Sequence, residues 1–302
     1  MAAETTTTLS SELQIYYEKT FLKRNQFEQI YEEGLQKRSR SANEGKSIVF
    51  NRYSALAAAT TPLTEGSDPS EVSLTAATVT ATLSEYGTKV KISRFLSLTS
   101  IDANNAEKIA VVGQNMRETM DTLVRAELDN LTAFLGNGKA AVTDLAATDV
   151  ISAANIRKVA RNLEANYARK YSDGYFMWKV TPYVKADLIA DSTWINAKTY
   201  STVKDLYRGE IGELYGFRFL VSANAKTTSS TTTVYHTYAH GSDAVGVYDL
   251  DGDQPKLYII PHTQIDSNNA TGRYSLASWA GSFVTKTLVS TWGYVAKFGA
   301  TA

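Results

Sequence analysis

Alternation of apolar and polar residues between Ser47 and Ser93 predicts an extended two-stranded excursion. A strand starting at Ile48 (IVFNRY) leads into a Thr-, Ala- and Ser-rich segment with an acidic tip (LTEGSDPSEV), and the chain returns through KVKIS. The tip has almost no large apolar side chains and can bury little by itself, and isolated two-stranded ribbons are marginal in water. We therefore expect the excursion to lie on another copy of this chain, which favours assembly over catalysis.

The phase of this alternation changes twice. The apolar positions are Val72, Leu74 and Ala76, then Val79, Ala81 and Leu83, then Tyr86, Val90 and Ile92. A shift of one residue moves side chains to the other face of a strand unless a bulge absorbs it. The hairpin is therefore predicted to be bent or twisted, as an arm that follows a curved neighbour would be.

A helical pattern follows the excursion. Its apolar stripe recurs every three to five residues, at Ile109, Val112, Met116, Met120, Leu123, Leu128, Leu131 and Leu135. Asn104 or Asn105 can cap its start, and Gly136-Asn137-Gly138 supplies the left-handed residues that stop a helix. The sequence thus predicts a spine helix about 50 Å long.

Helices and strands alternate from Val150 onward. An amphipathic helix (SAANIRKVARNLEANYA, with Ile156, Val159, Leu163 and Tyr167 on its apolar face) precedes a buried strand (YFMWKV), and Thr181-Pro182 begins another helix in the favoured order of cap and proline. The strand GFRFLVSAN, a polar loop at 226–233, and the strands VYHTYA, AVGVYDL and KLYIIP come next, and 273–298 is strand-like. The pattern predicts an α+β fold with two lobes, one formed by 152–250 and one joining the spine to the C-terminal strands.

Two charged groups are candidates for intermolecular contact. Residues 1–46 form a predicted arm that ends in the basic cluster Lys37, Arg38 and Arg40, which is either a solvated, flexible stretch or a contact to DNA or a neighbouring subunit. The acidic tip (Glu65, Asp68, Glu71) has the opposite sign to the returning strand (Lys89, Lys91, Arg94). These two groups either meet between subunits or remain solvated, because exposed ion pairs are weak.

Composition narrows the function classes. Hydrophobic residues make up 43% of the 302-residue chain and charged residues 21%, which is ordinary globular composition, and 31 basic residues balance 31 acidic ones. A dedicated DNA-binding module usually carries a basic excess. The absence of cysteine excludes disulfides, thiolate metal sites and cysteine nucleophiles. With no signal-peptide pattern and no run of 18 apolar residues, we expect a cytoplasmic origin and no membrane partner.

Three motifs suggest chemistry, and each has a simpler interpretation. In Leu135-Gly136-Asn137-Gly138-Lys139 the next residue is Ala140, where a phosphate loop requires a hydroxyl, so we interpret it as a helix stop. Asp249, Asp251 and Asp253 lack the Gly and Glu of a calcium loop, which leaves an Asp-Gly strand connection or, alternatively, a weak cation site. His236, His240 and His262 lack further ligands at zinc spacing. No nucleophile elbow is present, so no enzyme activity, cofactor or metal is expected.

The order of these parts resembles the major capsid proteins of tailed bacteriophages, with the Hong Kong 97-type fold. The resemblance rests on the arm, the hairpin TTPLTEGSDPSEVSLT, the long helix ending in LGNG, and GEIGELYGFRFLVSAN, and it covers essentially the whole chain. The sequence looks most similar to the branch named after the coliphage N4 capsid protein.

The resemblance implies a domain map. It assigns 1–46 to the N-terminal arm, 47–100 to the E-loop hairpin and its flanking strands, 101–151 to the spine helix of the P-domain, 152–250 to a mixed α/β A-domain, and 251–302 to the P-domain strands.

The resemblance also implies a function and partners. Pentamers and hexamers would form an icosahedral shell around double-stranded DNA, which the shell contacts weakly and without sequence specificity. Since only 46 residues precede the first core strand, we expect either a separate scaffolding protein or a processed N-terminus, and in addition a portal. The alternatives are an encapsulin-type compartment holding enzyme cargo and a phosphate- or metal-using enzyme.

Overall fold

The structure is a computed structural model that describes residues 29–41, 45–99, 105–191, 212–230, 232–265 and 269–301. Four α-helices lie within these residues: α1 (Arg94–Thr99), α2 (Asn105–Leu128), α3 (Ala153–Ala165) and α4 (Pro182–Ala190). The described strands are β1 (Gln36–Arg40), β2 (Ser47–Tyr53), β3 (Ala76–Thr82), β4 (Ser84–Ser93), β5 (Thr132–Leu135), β6 (Phe176–Val180), β7 (Glu213–Leu214), β8 (Phe217–Val221), β9 (Thr227–Ser229), β10 (Thr233–His240), β11 (Val245–Leu250), β12 (Lys256–Ile260), β13 (Tyr274–Thr287) and β14 (Gly293–Phe298). The predicted α+β class is confirmed.

Two sheets and a ribbon organise these strands. The five-stranded sheet runs β1-β11-β13-β12, with β4 also paired to β13. The seven-stranded sheet runs β5-β14-β10-β6-β8-β7, with β9 paired to β10, and β2 and β3 form a separate antiparallel ribbon. Strands that are consecutive in the chain can therefore lie in different sheets. β10 belongs to the seven-stranded sheet and the next strand, β11, to the five-stranded one; likewise β13 belongs to the five-stranded sheet and β14 to the seven-stranded one. The domain boundaries given above remain a prediction.

Helices cover the seven-stranded sheet on one face. Ser152 and Thr181 cap α3 and α4, as their hydroxyl oxygens accept from the backbone N–H of Asn155 and Val184. Ile156, Leu163 and other apolar residues of these helices pack against the even-numbered side chains of β6, among them Trp178. The opposite face of β6 is also buried, which explains why YFMWKV is continuously apolar apart from Lys179.

The spine helix α2 spans both sheets but is shorter than predicted. Val112 packs on Ala277 and Trp279 of β13, and the far end of α2 packs on the seven-stranded sheet through Leu128 and neighbouring residues. The 24 residues of α2 correspond to about 36 Å, so the prediction that the helix continues to Leu135 is wrong.

The chain turns after Leu128, and residues 132–135 form β5, which runs parallel to β14. The apolar spacing at Leu131 and Leu135 fits a helix and a short buried strand equally well, and periodicity cannot separate the two over four residues. Asn104, one of the two predicted caps, lies outside the described residues.

Two smaller predictions are also wrong. Tyr167, assigned to the apolar face of α3, is 89% exposed, because the helix ends at Ala165 and Tyr167 takes a left-handed backbone conformation (φ 53°). The polar loop at 226–233 contains β9, which pairs with the start of β10 to make a tight hairpin. Threonine is a good strand former, because its branched side chain fits a pleated surface.

Candidate assembly surfaces

The predicted excursion is a ribbon that projects from the two sheets. Residues 47–53 pair with 76–82 in register from Ser47↔Thr82 to Tyr53↔Ala76. Every residue from 51 to 78 is exposed, including the large apolar side chains of Leu63, Val72 and Leu74. The predicted inability of this element to bury itself is confirmed for the isolated chain.

Aromatic contacts hold the base of the ribbon. The ring of Phe50 stacks on Tyr248 of β11 with centroids 4.5 Å apart. The guanidinium of Arg52 lies 5.5 Å from the centre of the Trp292 ring. Cation–π contacts of this type contribute about 0.5–1 kcal/mol at exposed sites, so the base is fixed while the tip is solvated.

The second predicted phase change coincides with a change of partner strand. Ala81 and Leu83 are buried at odd positions, and Ile92 is buried at an even position. Between them the chain leaves β2 and joins β13, where Ser84 to Ser93 pair with Phe283 to Tyr274. The change of phase therefore marks the point where one extended segment passes from the ribbon to the five-stranded sheet.

The acidic and basic groups predicted to meet between subunits are separate in one chain. Glu65, Asp68 and Glu71 are exposed at the ribbon tip, where the Ser67 N–H donates to the Thr64 carbonyl at 3.1 Å across a turn. Lys89, Lys91 and Arg94 are exposed in β4 and at the start of α1. The Lys91 ammonium lies 4.5 Å from the ring centre of Tyr274. No ion pair joins the two groups within the described chain.

The basic cluster at Lys37, Arg38 and Arg40 lies on a sheet strand. β1 pairs in parallel with β11, from Gln36↔Gly246 to Arg40↔Leu250, and the Lys37 ammonium pairs with Glu32 at 2.7 Å. Lys37 and Arg38 are exposed, as the solvated interpretation predicts, but the stretch is a paired strand and not an irregular segment. Its contact to DNA or a neighbour stays a prediction.

Buried polar side chains bind the backbone of the segment before β1. One carboxylate oxygen of Asp121 in α2 accepts from the N–H groups of Ile30 at 3.0 Å and Tyr31 at 2.8 Å. The Lys179 ammonium donates to the Tyr31 carbonyl at 2.7 Å, and the Tyr171 hydroxyl donates to the Gly34 carbonyl at 2.6 Å. We call these three side chains the anchor. They fix the part of the predicted arm that enters the core.

Burial changes the titration of the anchor. It raises the pKa of Asp121, although Asn224 and the two backbone N–H groups bind its carboxylate. Burial lowers the pKa of Lys179 to about 7, against the raising effect of Asp121, Glu33 and Glu32.

We expect this shift to make stability depend on pH. Between about pH 7 and 9 the unfolded chain binds a proton at Lys179 that the folded chain does not, so the free energy of unfolding rises with pH, by at most about 1.4 kcal/mol per pH unit. Chemical denaturation across this range measures the slope, which should be smaller in Lys179→Met. Equal slopes in both proteins would contradict the assignment.

A second polar cluster lies at the end of α2. The carboxylate of Asp129 pairs with Lys226, contacts His236 Nδ1 at 2.8 Å, and accepts from the Tyr238 hydroxyl at 3.0 Å. Burial acts to raise the pKa of Asp129, but the hydrogen bonds from His236 and Lys226 outweigh it and lower the pKa to about 2. These contacts join α2 to β10.

The motifs set aside in the sequence have structural roles here. Gly136-Asn137-Gly138 follows β5 and not a helix, so that detail of the interpretation is wrong; Asn137 (φ 55°) and Gly138 (φ 74°) take the left-handed conformation expected of a turn. Asp253 N–H donates to the Leu250 carbonyl at 3.0 Å, which confirms the predicted strand connection.

His236 and His240 are buried; His236 Nδ1 contacts Asp129, and His240 Nδ1 contacts the Tyr171 hydroxyl. His262 is exposed. Among the described residues, no group of three or more His, Asp or Glu side chains is arranged to hold a metal ion. None of the described helices is long and apolar enough to cross a membrane.

Sequence reasoning missed the anchor, although one signal for it was present. Lys179 interrupts a strand whose other residues are all apolar, and a charge buried on both sides must find a partner. The identity of that partner, a backbone carbonyl 148 residues earlier in the chain, is visible only in the fold.

Comparison with solved structures identifies the architecture. The chain superimposes on the capsid of cyanophage P-SCSP1u with TM-score 0.73 and 13% identity, over 97% of this chain and 94% of that one. The capsid of Ralstonia phage GP4 gives 0.72 and 12%, over 96% of both chains. The capsid of Helicobacter pylori bacteriophage KHP30 gives 0.72 and 12%, over 99% of both chains. The fold is that of tailed-phage capsid proteins, the Hong Kong 97 type.

The sequence assigns the family. The profile of the family described as "Phage capsid protein" matches residues 17–249, which is more than half of the chain. The chain belongs to this family and is a structural protein of the virion. Comparison with curated protein sequences gives no significant match. The family match favours a phage capsid over the compartment and enzyme alternatives.

Proposed function

We propose that this chain assembles as pentamers and hexamers into an icosahedral shell around double-stranded DNA, and that it has no enzymatic activity. The exposed ribbon carries the proposal: a protein of the phage capsid family presents 28 consecutive exposed residues, 51–78, with acidic and apolar side chains. Heterologous contacts between such elements and neighbouring copies generate closed rings.

We also propose the domain map that the resemblance implies. The N-terminal arm, the E-loop at 47–100, the P-domain and the A-domain keep the bounds given above, and the acidic tip contacts a basic surface of the adjacent copy. The sequence offers Lys89, Lys91 and Arg94 for that surface, and Lys37, Arg38 and Arg40 for contacts of the arm with a neighbour or DNA.

Further partners belong to this proposal. Balanced charge suits a container, because a strongly basic lining would bind DNA tightly through counterion release. We infer weak, non-specific contact with packaged DNA, a separate scaffolding protein, a portal, assembly in the host bacterial cytoplasm, and membership of the N4-like branch.

Negative-stain electron microscopy of the purified protein tests the proposal. We expect the purified, folded protein to form closed particles or rings of five and six copies. If scaffolding protein is required, co-expression with it should convert rings into particles. Monomers under all of these conditions would contradict the proposed function.

A further inference from the structure

A cleft of about 760 Å³ opens where the ribbon meets the five-stranded sheet. β1 and Tyr248 line one side, and β2 lines another. Residues around Arg169, Asp243 and Trp292 close it. None of residues 54–75 lines the cleft, so the ribbon tip of the same chain does not occupy it.

Three arginines give the cleft a positive charge. Arg38 lies on β1, Arg52 on β2, and Arg169 follows α3. Arg169 pairs with Asp243 at 3.3 Å, the one acidic side chain among the described residues of the lining, which leaves an excess of two positive charges among those residues. The contact of Arg52 with Trp292 holds its guanidinium at the rim. Arginine also presents a fork of donors that matches a carboxylate in two-point hydrogen bonding.

Apolar side chains lie between the arginines. Ile48 and Phe50 are partly exposed on the same face of β2 as Arg52, and Val79, Leu288 and Val289 complete this part of the lining. A surface that combines exposed apolar area with a few oriented charges is typical of a protein interface.

The ribbon tip has the complementary composition. Its three carboxylates, Glu65, Asp68 and Glu71, are flanked by Leu63 and Val72, which are 69% and 68% exposed. The basic strand β4 lacks this match: Val90, between Lys89 and Lys91, points to the opposite side of its strand.

We propose that the cleft formed by β1, β2 and the Arg169–Trp292 region receives the acidic ribbon tip of a second copy of the chain. This inference rests on the proposed function and names the surface that the tip contacts. It places the contact at the base of the neighbouring ribbon, so each chain is both donor and acceptor.

Cross-linking tests the contact directly, because the chain has no cysteine. The variant Ser67→Cys with Ser41→Cys places one thiol at the tip and one at the cleft, which the exposed Ser41 lines, and keeps every charge. A short bifunctional maleimide should join its chains into multimers in assembled samples. The matched variant Ser67→Cys with Ser93→Cys, on the face of Lys89 and Lys91, should give at least 10-fold less product. The opposite ratio would assign the tip to β4 and overturn the proposal.

Charge reversal gives an independent measurement. Replacing Glu65, Asp68 and Glu71 with Lys, or Arg38, Arg52 and Arg169 with Glu, should each lower particle yield at least 10-fold. Combining both sets in one chain should restore yield to within about 3-fold of the unmodified protein, whereas reversing Lys89, Lys91 and Arg94 should not rescue the tip variant. Thermal unfolding of each variant checks that the monomer is folded.

The two proposals fail in different ways. Particles without the Ser67–Ser41 cross-link and without rescue would refute the cleft and leave the capsid function standing. Absence of particles from the unmodified protein would contradict the capsid function itself.

Discussion

We expect deletion of residues 64–73 to abolish closed particles and to leave the monomer folded. All ten positions are exposed, and the one backbone hydrogen bond recorded among them, from Ser67 to Thr64, is local. Shortening the connection between β2 and β3 by about half lowers the cost of loop closure by about 0.5 kcal/mol. Denaturant unfolding should therefore show unchanged or slightly higher stability, while electron microscopy shows no shells.

A matched variant separates length from chemistry. Replacing residues 64–73 with a Gly/Ser segment of equal length keeps the reach of the ribbon and removes its carboxylates and apolar side chains. We expect this variant to fail in assembly as the deletion does, because contact and not reach is lost. Normal particles from the deletion variant would show that the ribbon tip has no part in shell formation.

Patterns that depend on neighbours in sequence were predictable. The cap-then-proline start of α4, the apolar stripe of α3 and the alternation of β2 are local signals, and the structure confirms each one apart from Tyr167 at the end of the stripe. The phase change before Tyr86 could also be predicted from the sequence. Its structural cause, the change of pairing partner from the ribbon to β13, could not, because β13 lies almost 200 residues later in the chain.

Elements defined by distant partners were not predictable from one sequence. β1 reads QKRSR and has no apolar alternation at all; it is a strand because β11 pairs with it. β5 belongs to the seven-stranded sheet because β14 lies beside it, although its sequence continues the apolar spacing predicted for the spine helix. The receiving cleft combines β1, β2 and the region around Trp292, so sequence reasoning reached the ribbon tip, a single contiguous segment, and within the cleft only Arg38.

Asp121 connects a local element with a distant one, because this side chain of the spine helix binds the backbone of the segment from which the arm extends. Its carboxylate accepts from two backbone N–H groups and, through the other oxygen, from the Asn224 amide at 3.0 Å. In Asp121→Ala both backbone donors lose their acceptor. Each buried donor left unsatisfied costs about 1–3 kcal/mol, so we expect a loss of about 3 kcal/mol in the free energy of unfolding, measured with urea.

Asp121→Asn is the matched control for this loss. The amide oxygen can still accept from Ile30 and Tyr31, and only the bond from Asn224 is lost, so the decrease should be about 1 kcal/mol. Limited trypsin digestion follows the consequence for the arm: cleavage after Lys37 and Arg38 should accelerate in Asp121→Ala and change little in Asp121→Asn. If alanine and asparagine destabilise equally, the carboxylate acts through its charge and not as an acceptor for the arm, and the anchor would have to rest on Lys179 and Tyr171 alone.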